Sequence, residues 1–271
     1  MIPNGRTQLL GLIGSQVEHS HSFHLHNACI RQQKRNALYV PMQSSQDSWD
    51  AIFKLDHFLG ANITMPYKEM LLPFMNQITG RAQSIGAINT IHKQNGLLIG
   101  DNTDAIGFLS SLKQRNIDWL HRPIYIIGAG GAAKAVCYAL GSIGVTKINI
   151  WNRSVQKIER IRKQNFVNSL LDWDINTPLN PKAIIIQCTP LGMSGEDPLS
   201  MHQAHPMWTV IDLLYTETPL LKRVHNAGGE AITGLGMLIH QAAHSFARWF
   251  NCPPPIDIMT NQFPSETMEL A

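Results

Sequence analysis

Short apolar runs alternate with segments of helical spacing along most of the chain. Runs at 8–13, 37–42, 61–64, 87–91 and 97–102 are bounded by polar or turn residues and predict strands. Between them, 23–32 and 48–55 repeat apolar positions at helical spacing. A second series starts after Pro123. It reads as a buried strand at 124–127, a glycine cluster, an Ala-rich helix over 132–140, and strands at 147–151, 183–187, 209–213 and 230–233. A last helix over 237–250 is stopped by Asn251 and the prolines from Pro253. Strands alternating with helices imply crossover connections and a largely parallel sheet. No repeat, low-complexity tract or charge block interrupts the pattern, which excludes a solenoid or a basic arm.

The chain has 271 residues, about two domains' worth at roughly 150 each. No Gly/Ser-rich linker marks a boundary near residue 104, so the two units are expected to be joined by helices and to share a cleft. With 44% hydrophobic and 15% charged residues, the sequence can bury a large core. The net charge of +3 is too small to argue for nucleic acid or an anionic membrane. No apolar run approaches the roughly 18 residues of a membrane span. The Leu9–Ile13 run is too short for a signal-peptide core and reads as a first strand. Cys29, Cys137, Cys188 and Cys252 form no CxxC pair and read as reduced, packed thiols. The expectation is a cytoplasmic α/β protein, monomer or homodimer.

The stretch IYIIGAGGAAKAV places Gly128, Gly130 and Gly131 between a strand and a helix. The Gly128-x-Gly130 spacing lets the backbone turn tightly and approach a pyrophosphate at a helix N-terminus, and Ala133 takes the third small position. An NAD site wants an acidic residue about 20 positions on, for the ribose 2′-hydroxyl. Here the next strand ends in Asn152-Arg153-Ser154, with Lys157 one turn later and no carboxylate. Those cations suit a 2′-phosphate, so NADP is favoured over NAD; the plain alternative is a solvated basic turn.

Five further fragments line up: EHSHSFHLHN (18–27), GANITMPYK (60–68), GAINT (86–90), GDNTDAIG (100–107) and GLGMLIHQAAHSFARWF (234–250). With GAGGAA (128–133) and NRS (152–154), they make the chain resemble the shikimate dehydrogenase family over nearly its whole length. The resemblance implies an NADP-dependent reduction of 3-dehydroshikimate to shikimate, on the route to chorismate and the aromatic amino acids. It also implies an N-terminal α/β substrate domain, residues 1–103 completed by C-terminal helices in 236–271, and a Rossmann-type NADP domain over 104–235.

By that resemblance Lys68 and Asp104 are the catalytic pair. Reducing a ketone needs a proton at oxygen as hydride reaches carbon, and an ammonium beside a carboxylate suits that role. Ser20 and Ser22 match carboxylate-binding serines, with Ser22 placed just before a helix, where it could equally be a plain N-cap. Asn62, Thr64, Asn89 and Gln241 match positions for the hydroxyls and carboxylate, and Tyr215 matches a tyrosine near the substrate. Each could instead satisfy local backbone groups. For the cofactor, the matches are Gly128, Ala129, Gly130, Gly131, Ala132, Asn152, Arg153, Ser154, Lys157, Thr189, Gly234 and Met237.

The chain departs from the family pattern at several points. Gln16 and Phe23 stand where proline is usual, Ala105 where glycine is commoner, Lys157 for a frequent arginine and Thr233 for a frequent aspartate. The family's NATPLGM appears as Gln187-Cys188-Thr189-Pro190-Leu191-Gly192-Met193. None of these removes a catalytic group, but Gln16 and Phe23 flank the carboxylate site and bear on substrate choice. A quinate/shikimate dehydrogenase of relaxed choice, and a non-catalytic NADP- or shikimate-binding sensor, are the rival readings; retention of both Lys68 and Asp104 opposes the sensor.

His19, His21, His24 and His26 invite a metal reading, yet their spacing fits no zinc pattern and no thiolate or carboxylate completes a set. No metal is expected. His240 to His244 imitates HExxH, but Gln241 replaces the glutamate base. Cys188 reads as a packed thiol, and Trp249 and Phe250 as cover for a core or interface.

Overall fold

The computed structural model describes residues 2–18 and 20–264 and divides into two compact units, residues 2–107 with Ile239–Pro264, and Phe108–Leu238. The first unit begins with β1 (Gln8–Gly14), α1 (Ser22–Gln32), β2 (Ala37–Gln43), α2 (Gln46–Lys54) and β3 (Phe58–Ile63). A short 3-10 turn (Leu72–Phe74), β4 (Gln77–Ile78), α3 (Gly80–Ile85), β5 (Thr90–Gln94), β6 (Leu97–Asp101) and the start of α4 (Asp104–Leu112) follow.

Its six strands run in the order β2-β1-β3-β5-β6-β4. β1 lies parallel to both β2 and β3, and the β5–β6 hairpin is antiparallel. The last five residues of β1 are all buried, as expected for a strand flanked by parallel neighbours and covered on both faces. In α2, Trp49 and Phe53 sit four residues apart, on one face, and pack with Phe58, Ile63, Leu71, Ile88 and Ile91. Asn95 and Gly96, at φ 51° and 77°, make the hairpin turn that such a pair favours.

The expected strand at 87–91 is displaced: β5 starts at Thr90. Gly86 closes α3 in the left-handed region (φ 68°), and residues 87–89 bond across rather than along a ladder. The Ile88 amide donates to the Lys68 carbonyl (2.8 Å) and the Asn89 amide to the Asp101 carbonyl (3.0 Å). Apolar character at these positions reports burial and not strand pairing.

The second unit carries β7 (Ile124–Ile127), α5 (Gly131–Ser142), β8 (Lys147–Trp151), α6 (Val155–Arg162), β9 (Ser169–Asp172), β10 (Ile184–Gln187), β11 (Thr209–Asp212), α7 (Pro219–Asn226) and β12 (Glu230–Thr233). α8 (Leu235–Phe250) begins in this unit and ends in the first, which α9 (Ile256–Thr260) completes. All six strands are parallel, in the order β12-β11-β10-β7-β8-β9. Counted from β7, this is the doubly wound order 3-2-1-4-5-6 read from the β9 edge, which reverses direction between β7 and β10. Ligands of such sheets bind beyond the carboxyl ends of the strands at that reversal.

Candidate functional site

In the first unit, a chain of buried polar side chains connects most of the residues singled out from sequence. Lys68 follows a turn in which the Tyr67 amide bonds the Thr64 carbonyl, and the Lys68 carbonyl is tied to Ile88. Asp104 opens α4, where a carboxylate complements the helix dipole, and the Asn102 side chain accepts from its amide at 3.1 Å. The outcome is an ion pair, Lys68 Nζ to Asp104 Oδ2 at 2.6 Å, between groups 36 positions apart. Both are largely sheltered, with side chains 19% and 7% exposed.

Asn89 is the hub. Its Nδ2 donates to Asp104 Oδ1 (2.7 Å), Thr103 Oγ1 (2.9 Å) and Gln241 Oε1 (3.2 Å). Its Oδ1 accepts from the Thr103 amide (2.7 Å) and the Thr90 hydroxyl (2.9 Å). Asn62 continues the network: its Nδ2 reaches Ser245 Oγ at 2.9 Å, and the Tyr39 phenol donates to its Oδ1 at 3.0 Å. Burial holds the Tyr39 phenol well above its ordinary range, against the opposing influence of the Ser22 hydroxyl. Ser20 and Ser22 bond one another at 3.1 Å.

Ser22 corrects its expected position. It is the first residue of α1 rather than the residue before it, and Ser20 Oγ accepts from the Ser22 amide at 3.2 Å. Thr64 lies just past β3; a Cβ at Gly14 would stand 2.4 Å from its methyl, so the ends of β1 and β3 meet there. Gln241 is delivered by a close helix crossing. A Cβ at Gly107 of α4 would stand 2.7 Å from the Gln241 amide nitrogen, so only glycine lets α4 and α8 approach this far.

Several participants carry no sequence signal of their own. Ser245, Thr90 and Thr103 share hydroxyl contacts of 2.8 to 3.4 Å at the centre of the network. Ser245 sits four residues after Gln241, one helical turn along the same face, and that spacing is the available clue. Behind the network, Asp101 accepts from Thr79 (2.7 Å), both carboxylate oxygens meet Arg81 (3.0 Å), and Arg248 reaches it at 2.8 Å. Burial opposes ionisation of Asp101, but the Thr79 bond and the two guanidinium groups outweigh it and hold its carboxyl below the usual range.

His26 is fully buried, stacked on Tyr39 at 4.4 Å, and burial pushes its imidazole down to about 3, so it is neutral. His21 rests edge-on against Phe263, while His19 lies outside the described residues. Burial likewise lowers His240 and His244. Among the described residues, no three His, Cys, Asp or Glu side chains are grouped to hold an ion. Trp249 is buried and donates to the Ile91 carbonyl at 2.9 Å, which makes it core.

The second unit's candidates gather at the carboxyl edge of its sheet. Gly128 follows β7 at φ 111°, a conformation that favours glycine, and its amide bonds the Trp151 carbonyl at the end of β8 (2.7 Å). Gly130 is the N-cap of α5, and nothing lies within 4 Å of where its Cβ would stand. Ala133 is fully buried against the sheet. A backbone this open at a helix N-terminus, at the sheet's reversal point, fits a dinucleotide pyrophosphate. The Asn152–Ser154 turn is shaped by Asn152 Nδ2 donating to the Ser154 carbonyl at 2.9 Å, and leaves Arg153 and Lys157 exposed. Thr189 abuts Gly128: a Cβ there would stand 2.8 Å from the Thr189 methyl. Gly234 donates to the Leu214 carbonyl at 2.7 Å, beside the loop carrying Tyr215. Met237 is half-buried in the first turn of α8. Cys188 is half-buried, and burial pushes its thiol well above the ordinary range.

This is the architecture of a two-unit α/β protein with a Rossmann-type nucleotide unit. Comparison narrows it. Residues 12–91 match the shikimate dehydrogenase substrate binding domain, 111–193 the shikimate/quinate 5-dehydrogenase family, and 234–262 the shikimate 5′-dehydrogenase C-terminal domain. The shikimate dehydrogenase (NADP(+)) of Desulforamulus reducens is 35% identical, over 95% of each chain. The crystal structure of shikimate dehydrogenase from Aquifex aeolicus superposes with a TM-score of 0.86 at 32% identity, covering 96% of this chain and 98% of that one. The Thermus thermophilus shikimate 5-dehydrogenase in complex with NADP(H) and shikimate gives 0.84 at 26% identity, over 97% and 100%. The chain belongs to the shikimate dehydrogenase family.

Proposed function

We propose that the protein catalyses the reversible, NADPH-dependent reduction of 3-dehydroshikimate to shikimate, within the route to chorismate and the aromatic amino acids. The observation that carries the assignment of roles is the 2.6 Å Lys68–Asp104 pair, held in a sheltered polar network in a chain of this family. We take the substrate domain as residues 1–103 with 236–271 and the dinucleotide domain as 104–235; the compact units of the fold divide a few residues later, so that Asp104 lies in the first.

NADPH, when bound, would supply the hydride that the ketone carbon needs. Lys68 Nζ gives its proton to the carbonyl oxygen as the negative charge develops there, and takes it back when shikimate is oxidised. Asp104 holds the ammonium in place and favours its charged form, while Asn89 fixes the other carboxylate oxygen. Ser20 and Ser22 at the start of α1 take the substrate carboxylate; Asn62, Thr64, Asn89 and Gln241 meet its hydroxyls and carboxylate, and Tyr215 lies near it. The turn Gly128-Ala129-Gly130-Gly131-Ala132 cradles the pyrophosphate. Asn152, Arg153, Ser154 and Lys157 would hold the 2′-phosphate, Gly234 and Met237 would line the nicotinamide end, and Thr189 would line the cofactor. The absence of a carboxylate in the Asn152–Ser154 turn, and the two exposed cations beside it, support NADP over NAD.

The protein is assigned to the cytoplasm as a monomer or homodimer; no described helix is long and apolar enough to cross a membrane. The test is kinetic. Purified protein should reduce NADP+ with shikimate, and more slowly with quinate or with NAD+. Lys68→Ala should lose about 100-fold or more in kcat while still binding both ligands. Full turnover in that variant would sink the assignment.

A further inference from the structure

β10 ends on a fully buried glutamine although three isoleucines precede it. A buried primary amide is costly unless its two donors and two acceptor lone pairs are all met. All four are met here, and every partner lies within the next four residues. Gln187 Nε2 donates to the carbonyls of Thr189 (3.2 Å) and Leu191 (2.7 Å). Its Oε1 accepts from the Thr189 amide (2.8 Å) and the Thr189 hydroxyl (2.9 Å). That hydroxyl accepts in turn from the Leu191 amide at 3.2 Å. The amide is thus the axle around which residues 188–192 turn, and it leaves the Thr189 side chain one orientation.

What that orientation touches matters. The Thr189 methyl rests on Gly128, the first glycine of the 128–131 turn, and β7 and β10 are the two strands flanking the sheet's reversal. The opposite side of the loop is held as well. Asp212, in register with Gln187 on β11, accepts from the Leu214 amide (3.1 Å) and the Thr218 hydroxyl (2.9 Å). A Cβ at Gly192 would stand 3.1 Å from the Thr218 methyl and 3.3 Å from Leu214. Between these two supports, the path of the loop is set by the amide of one side chain.

We propose that Gln187 is a positioning residue for NADP: its amide sets the Thr189–Leu191 backbone against Gly128 and so fixes one wall of the dinucleotide site. The proposal rests on the reading that Thr189 lines that site. Methionine at 187 keeps the length of the side chain but carries no amide, so all four bonds to Thr189 and Leu191 are lost.

The experiment titrates NADP+ and, separately, shikimate into the full-length wild type, Gln187→Met, Thr189→Val and Thr189→Tyr, followed by tryptophan fluorescence. Gln187→Met should raise the Kd for NADP+ about tenfold and leave that for shikimate within about twofold. Thr189→Val keeps the shape and loses the hydroxyl bonds, and should weaken NADP+ in the same direction by about threefold. A folded Gln187→Met that binds NADP+ within twofold of wild type, or weakens both ligands equally, would overturn the proposal. If Gln187→Met does not fold, Thr189→Val decides, and unchanged NADP+ affinity overturns it. Thr189→Tyr separates the two readings. Normal NADP+ binding there removes the premise that Thr189 lines the site. Blocked binding in Thr189→Tyr beside unchanged binding in Gln187→Met defeats the positioning role alone.

Discussion

The two units hold their polar groups by opposite means. In the first, the Lys68–Asp104 pair sits in a web of neutral side chains, Asn62, Asn89, Thr90, Thr103 and Ser245, whose bonds run from one to the next inside the protein. In the second, the candidate cofactor surface is backbone and open charge: a glycine turn at a helix N-terminus, and Arg153 and Lys157 in solvent. A buried web places each atom of a small substrate but fails as a unit when one member is lost, because the partners are left unsatisfied. A backbone cradle with exposed cations tolerates change and yields affinity in small, salt-sensitive steps.

The sharpest way to break the contrast is at its hub. Asn89→Ala removes the side-chain partner of Asp104 Oδ1 and of the Thr103 amide, and one of the bonds of the Thr90 hydroxyl. We expect kcat to fall about 100-fold and stability by about 2–3 kcal/mol, measured by steady-state kinetics and urea unfolding. A variant with full turnover would show that the web is packing only.

The next effect is a pH dependence inside the second unit, where one buried carboxylate breaks the rule of open charge. Burial pushes Asp212 up from 3.8 to about 6, against the bonds from Leu214 and Thr218. A folded-state value above the unfolded one means the native state binds the extra proton between these two values. Asp212 therefore lowers stability as pH rises through roughly 4 to 6, by about 3 kcal/mol in total, and has no further effect above that window. Urea unfolding of Asp212→Asn beside wild type should show the difference between them changing across that window and flat above it.

Charge removal on the open side should cost less. Arg153→Ser with Lys157→Ser should raise KM for NADP+ about tenfold and leave KM for NAD+ within twofold, the gap closing as salt is added. Equal losses with both cofactors would place these cations elsewhere than at a 2′-phosphate. Smallest is Ser245→Ala, which removes one hydroxyl from a site with alternative partners in Thr90 and Thr103. Its expected cost is about 1 kcal/mol of stability and a twofold change in KM for shikimate.

The same contrast decides which features are legible in the amino-acid sequence. Gly128, Gly130 and the basic turn are local, contiguous signals, because a phosphate cradle is built from consecutive backbone. The α/β alternation is legible for the same reason. The web is not: Asn62 meets Ser245 across 183 positions, and no spacing rule reports such a contact. Lys68 and Asp104 are indicated by family resemblance alone, and their approach depends on Ile88 bonding the Lys68 carbonyl. That bond lies in the 87–89 segment, whose apolar run imitates a strand. The two-residue β4 is too short for a pattern to show, and β9 is an edge strand with no fully buried residue, so it carries no apolar run. Gln187 reads as a minor departure from the family motif, and only its four bonds in the fold give it a role.

The first unit takes Arg248, Trp249 and Ser245 from α8, near the other end of the chain, onto Asp101, Ile91 and Asn62. On a ribosome, residues 2–107 therefore emerge without the helix that closes their core. At about 5–20 residues per second, the intervening 108–238 takes roughly 7 to 26 seconds to synthesise. The nucleotide unit is contiguous and free to fold in that interval. The half that carries Lys68 waits with the surface that Trp249 and its neighbours later cover still open to water.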